Sequence, residues 1–398
     1  MILIIGVFRP FFCLSAKLCW MAKNNIRCLI INLSPEGAGV RLLAQHGNVL
    51  RVEQSIDSFP WMQFIQRAGH SFFFSNVVVS ADPTLVYTPK VPISIPREHP
   101  SRIIESGELE SALGNALTGA MNSTRRAAGE YLGVNDIDAV LVDARLRDIS
   151  ADGHPVVTPV GLKAISIEGA LELTYTTRAI ASLFEKSFKS SDFAVVSKVR
   201  ARFRFLRRVL PQLKSLVIAG EQSSLLLEED DSSSVGMKRK VLFWHPRPWL
   251  EELASAWHLT PSALRELLAR FSNGTLSPRF SAVFSEVLER ASGELHSELV
   301  RAKAYGNVFV DSPLPVFYDS SKRGVSFETV NRRSVIQSFG FIPPREELSM
   351  DELYESLAPY TQVYYDTAGA GLNLWLRRRV HWLAPHNNAR LLFRKNNL

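Results

Sequence analysis

The chain has 398 residues, 46% of them hydrophobic and 21% charged, with a formal net charge of +7. This is ordinary globular composition with length for two or three domains, which excludes a disordered or low-complexity protein. Three cysteines, all near the start (Cys13, Cys19 and Cys28), with no histidine at ligand spacing, exclude a disulfide framework or a zinc site and fit a reducing cytoplasm.

The opening "MILIIGVFRPFFCLSAKLCW" is apolar but interrupted by Arg9, Pro10 and Lys17. It is too broken for a spanning helix and lacks the order of a signal peptide. Residues 1–20 are therefore read as an extension or a mis-assigned start before Met21, with a weak membrane anchor as the alternative. Ile26–Leu33, Gly37–Leu43 and Val49–Ile56 read as three hairpin-linked strands. "NVVVSADPTLVYTPKVPISI" gives two more strands around a proline turn, and Ser106–Leu132 is an amphipathic helix closed by Gly133. Ala139–Ile149 is a strand, "SADGHPVVTPVG" a loop and "AISIEGALELTYT" a strand. Val195–Leu210 reads as a helix with Phe203, Leu206 and Leu210 on a core face and arginines exposed around it, so no nucleic-acid partner is expected. A second hairpin is predicted with inner strand Leu216–Ala219 and outer strand Arg239–Trp244, joined by a long polar loop. Pro248–Arg301 is helical, Asn307–Val310 is a buried strand, and no internal repeat is visible.

No Walker A pattern, nucleophile elbow or zinc-protease motif occurs. Asp143 and Asp148, at odd spacing on one strand, point to opposite faces and make no catalytic pair. The last candidate element, "GLNLWLRRRVHWLAPHN", places Leu372, Trp375, Leu376, Val380, Trp382 and Leu383 on one side of a helix, with Arg377 and Arg378 largely on the other. Two readings stay open: a helix lying on an anionic membrane surface, or a last core helix.

The order of two early and middle hairpins, an α+β segment between them, and late helices ending in "NVFVDSPLP" resembles the actin-like ATPases of the FtsA and PilM type. The resemblance spans roughly Ile26 to Leu314 and rests mainly on that order. It implies an α/β, actin-like (ribonuclease H-like) two-lobed fold with an inserted α+β subdomain. The implied domains are 21–58 and 176–214 for lobe I, 59–175 for the insert, 215–345 for lobe II and 346–398 for a C-terminal region holding helix 371–384. In the resembled family the insert contacts other proteins, and FtsA proteins end in a short amphipathic membrane helix.

The resemblance also locates a nucleotide site. Its residues would be Asn32, Ser34 and Gly37 in the first phosphate hairpin, Gly220, Ser223 and Ser224 in the second, and Asp311 and Ser312 in the adenosine-side turn. Against the family pattern, Asn32 replaces an aspartate and Pro35 removes a backbone N–H. Val217 and Ala219 replace an aspartate and a glycine, and "DSPLP" replaces a glycine-rich turn. Phosphoryl transfer depends on positioning and metal electrostatics, so these losses point to a scaffold without catalytic residues, metal or required cofactor. Its partner would belong to a division or pilus machinery, or be a second copy, at the inner membrane face. The alternative is an active ATPase using ATP and Mg²⁺ through unusual residues. A third reading, an unrelated α+β enzyme, has no compact constellation to support it.

Overall fold

A computed structural model describes residues 26–35, 37–46, 49–59, 76–187, 193–220, 222–229, 237–272, 274–318, 324–344, 347–364 and 369–383. The expectation for residues 1–20 lies outside them.

Strands β1 (Ile26–Leu33), β2 (Ala38–His46) and β3 (Val49–Phe59) form an antiparallel meander. Leu29, Ile30 and Ile31 are all buried, as a strand covered on both faces requires. β4 (Val77–Ala81) and β10 (Phe193–Ser197) extend this sheet in parallel, giving the order β10-β4-β1-β2-β3. The second sheet repeats the plan. β11 (Ser215–Ala219), β12 (Ser224–Glu229) and β13 (Met237–Leu242) form a meander, and β14 (Gly306–Asp311) and β16 (Val325–Thr329) add in parallel. β15 (Phe317–Tyr318) pairs with β16 at the edge. The registers correspond as well: Leu33 faces Ala38 across the first turn, and Ala219 faces Ser224 across the second. Two ribonuclease H-like sheets in one chain make the fold actin-like, and the repeat exists in topology without a visible repeat in sequence.

Between the lobe I strands lies a third sheet: β5 (Val86–Tyr87), β6 (Lys90–Pro96), β7 (Ala139–Ala151), β8 (His154–Pro155) and β9 (Ser166–Thr177). Helix α1 (Ser106–Leu132) covers it through Leu109, Leu113 and Leu117. Three expectations change here. β4 belongs to the lobe I sheet rather than to an insert of 59–175, because "VVVSA" is buried along its whole length and pairs with β1. Residues 195–197 continue β10 instead of opening a helix, since the run "FAVVS" is apolar, β-branched and fully buried. The strand at Met237–Leu242 pairs with the intervening β12 and not with β11.

The remaining helices are α2 (Arg178–Ser187), α3 (Lys198–Val209), α4 (Arg247–Ala256), α5 (Pro261–Ser272), α6 (Pro278–Arg301), α7 (Arg332–Ser338), α8 (Glu347–Tyr364) and α9 (Ala370–Leu383). α2 packs on the outer face of lobe I, and α4 to α6 on the outer face of lobe II. α3 and α8 sit in one continuous core that joins the inner faces of both sheets, through Phe205, Leu206, Leu353 and Leu357.

α3 corrects a further expectation. Its arginines do not form one exposed face: Arg200 and Arg202 are buried, Arg204 is partly buried, and Arg207 and Arg208 in the last turn are exposed. Arg200 and Arg204, one turn apart, both point at Glu172 of β9. Arg204 grips that carboxylate in a fork of two 2.5 Å contacts, Arg200 adds a 2.6 Å bond, and Arg147 of β7 a 3.3 Å bond. This cage fastens the inserted sheet to the lobe I helix. Burial opposes ionisation of Glu172, but the charges of Arg204, Arg200 and Arg147 outweigh it and hold the carboxyl well below its ordinary range.

Two measurements check this architecture. A depressed folded value makes the Glu172 contribution complete above the ordinary glutamate pKa of 4.5 and progressively lost as pH falls below it. Tm from scanning calorimetry should therefore drop as pH is lowered from 4.5, and Glu172→Gln, already destabilised at neutral pH, should lose less over the same interval. At Gly129 of α1 a Cβ would meet the carbonyl oxygen of Val134 at 2.9 Å, whereas at Gly119 it would meet nothing within 4 Å. Gly129→Ala is expected to cost about 1–3 kcal/mol, and Gly119→Ala to add about 0.5–1 kcal/mol, both read by urea denaturation.

Candidate functional site

The C-terminal ends of β1, β11 and β14, where the sequence resemblance places a nucleotide, carry three turns. The first turn is closed on itself. The Ser34 N–H donates to the Gly37 carbonyl at 2.9 Å, and the Gly37 N–H donates to Ser34 Oγ at 3.3 Å. Pro35 has no N–H to offer. Asn32, half-buried, stands in register with Gly39 and Ser80. Glu36 lies outside the described residues.

The second turn closes in the same way: the Gly220 N–H donates to the Ser223 carbonyl at 3.1 Å. A Cβ on Gly220 would lie 2.4 Å from that oxygen, so this closure needs glycine. The matching registers make Ile218, not Val217, the lobe II counterpart of Asn32. Ile218 packs against the interlobe core, while Val217 is fully buried on the opposite face. Ser224 is also fully buried, with its Oγ lacking a partner, and is thus a core position rather than a loop donor.

The third turn follows Asp311. Pro313 and Pro315 have no N–H, the Leu314 N–H donates to Ser312 Oγ at 3.0 Å, and the Val316 N–H donates to Thr329 Oγ1 at 2.7 Å. The backbone donors of residues 313–316 are thus either absent or used within the protein. Asp311 itself is 3% exposed. Its Oδ2 accepts from Arg202 Nη1 of α3 at 2.9 Å, and its Oδ1 from Arg332 Nη2 of α7 at 3.1 Å. Arg332 also donates to Asp351 of α8 at 2.6 Å. Both guanidinium groups stack on Tyr354, at 4.6 Å and 5.1 Å from its ring centre. Nearby, Arg41 of β2 pairs with Glu355 of α8 at 2.8 Å. Burial opposes the Glu355 charge, but Arg202, Lys198 and Arg41 lower its carboxyl pKa to about 2. The carboxylate that sequence reasoning assigned to a nucleotide turn is thus committed to a buried ion cluster tying lobe I, lobe II and α8 together. Of the arginines that claim it, Arg202 was legible only as a member of a basic helix, and Arg332 carried no signal.

Beside the third turn lies a cavity of about 570 Å³ between α5, α6 and the ends of β14 and β16. Ser312, Pro313, Asn331, Arg333, Arg265 and Glu289 are among the residues that line it. Among the described residues no group of three or more histidine, cysteine, aspartate or glutamate side chains is placed to hold a metal ion.

Searches for relatives bear on the fold alone. No protein-family model and no curated protein matches the chain. Solved structures do. A PilM–PilN type IV pilus biogenesis complex is similar at 15% identity and a TM-score of 0.38, covering 90% of this chain and 99% of that one. The cytoplasmic domain of EpsL, an inner-membrane component of the type II secretion system of Vibrio cholerae, is similar at 13% identity and a TM-score of 0.34, over 79% and 94% of the two chains. An apo ParM protein aligns at 8% identity and a TM-score of 0.29, over 85% and 98%. The duplicated strand order, not these superpositions, carries the actin-like assignment.

The C-terminal helix has a defined seat. Leu372, Leu376 and Val380 of α9 are buried among the residues of α1 and β7, and Trp375 packs partly against the same cluster, near Gly114. Asn373 Oδ1 accepts the Leu146 N–H of β7 at 2.7 Å, and Arg377 lies 3.9 Å from buried Asp143. Arg378 is exposed. The side chains of Trp382 and Leu383 lie outside the described residues. Of the two readings left open for this helix, the core reading describes these contacts of Leu372, Leu376 and Val380. Among the described residues no helix is long and apolar enough to cross a membrane.

Asp311→Asn leaves Arg202 and part of Arg332 without their buried counter-charge. This variant is expected to lose about 3–5 kcal/mol of stability, measured by urea denaturation at neutral pH.

Proposed function

We propose that this chain is a non-hydrolysing actin-like scaffold for a bacterial pilus-type or division machinery, working at the inner face of the membrane. One observation carries the reading: Asp311 is neutralised by Arg202 and Arg332, beside turns in which the N–H groups of Ser34, Gly37, Gly220, Leu314 and Val316 are spent internally. A nucleotide triphosphate needs free backbone donors and a metal-bearing carboxylate at these turns. Asn32 and Ile218 supply no charge in either lobe. The class of machinery follows from the sequence resemblance to FtsA- and PilM-type proteins.

The partner surface belongs on the inserted sheet. Ile103, Val157 and Ile165 are 53%, 62% and 68% exposed. Hydrogen bonds from the Ile104 N–H to the Leu162 carbonyl and from the Gly161 N–H to the Ile104 carbonyl join the segment of Ile103 to the loop between β8 and β9. Exposed aliphatic side chains on joined loops suit a protein contact.

The cavity beside Ser312 favours a second reading, in which a nucleoside is still held and ATP hydrolysed by unusual residues. Calorimetric titration of the full chain with ATP and Mg²⁺, with phosphate release followed in parallel, separates the two. The scaffold reading expects no release, with or without weak binding. Sub-millimolar binding with continuous phosphate release overturns it.

A further inference from the structure

The chain crosses between the lobes twice. α3 leads through residues 210–214 into β11, and α7 leads from lobe II into α8. α8 then returns to lobe I, where the Tyr360 hydroxyl donates to Gln45 Oε1 of β2 at 3.2 Å. α3 and α8 share the core between the sheets, with Phe205 edge-on to Tyr354 at 5.6 Å. Two crossings of this kind are where a two-lobed body hinges, because a few residues at element ends absorb the change of angle.

Ion pairs brace this hinge on every side that it offers. Arg202 of α3 donates to Asp311 at 2.9 Å, and Arg207 in the last turn of α3 pairs with Glu229 of β12. Five residues of helix put the two arginines about 7.5 Å apart along the axis. Their carboxylates lie near opposite ends of the lobe II sheet: Asp311 is in register with Ile218, and the Glu229 N–H donates to the Lys214 carbonyl at 3.0 Å. Rotation of lobe II about either pair therefore breaks the other.

Rotation about the line joining the pairs meets α8 and the insert. One turn apart on α8, Asp351 accepts from Arg332 of lobe II at 2.6 Å and Glu355 from Arg41 of lobe I at 2.8 Å. Between them Tyr354, fully buried, lies beneath one guanidinium from each lobe, Arg202 and Arg332. On the insert, the Tyr131 hydroxyl accepts from Arg239 of β13 at 2.9 Å, while Glu172 is held by α3. Separating a buried ion pair strands its charges, and packed interfaces of this kind switch between discrete states rather than deform gradually.

We propose that the hinge between the lobes is locked: the ion cluster around Tyr354 fixes one interlobe angle with side chains alone, in the place where hinge-closing proteins use a bound ligand. The lock rests on these contacts and not on the scaffold reading.

The test measures the angle directly in the full chain. Arg51→Cys on β3 and Glu294→Cys on α6 are exposed positions, one on each lobe, for spin labels. Cys13 and Cys19 are replaced by serine, and Cys28 is buried. Pulsed electron paramagnetic resonance then gives the distribution of label distances. The expected result is one narrow distribution that neither ATP with Mg²⁺ nor high salt moves, since buried pairs are weakly screened. Arg332→Gln, at a side chain less buried than Arg202, is expected to at least double its width while circular dichroism stays native. If Arg332→Gln fails to fold, Asp351→Asn, at a side chain 29% exposed, is read in its place with the same expectation. An unmoved distribution together with phosphate release upholds the lock and removes the scaffold reading alone. A broad or two-peaked distribution in the wild type, a shift on adding ATP and Mg²⁺, or an equally narrow distribution in the folded variant overturns the lock.

Discussion

A helix buried between two sheets cannot carry arginines unless a carboxylate meets each charge, because an unmatched buried charge costs several kcal/mol. α3 meets this constraint on two opposite faces. Arg200 and Arg204, one turn apart, turn toward Glu172 of the inserted sheet, and Arg202, half a turn away, faces Asp311 of lobe II. One helix of lobe I is thereby bonded to both of its neighbours. α8 docks beside it, with Tyr354 under the guanidinium groups of Arg202 and Arg332, and with Glu355 and Asp351 meeting Arg41 and Arg332.

The same constraint claims the carboxylate at the end of β14, where Asp311 serves two buried arginines at once. With Asp311 committed, the turn that follows is free to take prolines, and Ser312 folds back on its own segment. The hairpin turns keep their shape because their strands belong to the central sheets, each closing by one N–H to carbonyl bond across two residues. The registers of Leu33 with Ala38 and of Ala219 with Ser224 match across the two lobes.

Much of the architecture was legible from residue pattern. The three opening strands, the helix ending at Gly133, the strand before Asp311 and the last helix all lie where apolar periodicity and turn residues place them. What pattern could not supply was tertiary pairing. "VVVSA" reads equally well as a strand of an insert or of a central sheet, and only its partner β1 decides. The arginines of α3 read as a solvated face, since nothing local reveals that Glu172 and Asp311 lie opposite them. Asp311 was found as a candidate site residue, but its role depended on Arg202, 109 residues away. The apolar stripe of α9 was visible, yet amphipathicity alone does not distinguish a bilayer from the hydrophobic cluster of α1 and β7.

The bond from Leu146 to Asn373 has a temporal side. It covers a strand edge with a side chain that lies 227 positions later in the chain. At ordinary bacterial synthesis speeds, about 5–20 residues per second, the β7 edge emerges from the ribosome roughly 10–45 seconds before its cover is made. An uncovered strand edge is a template for pairing with other chains. The nascent protein therefore passes through a period in which its inserted sheet is complete in strands but open on one side, and holding chaperones have their clearest target there.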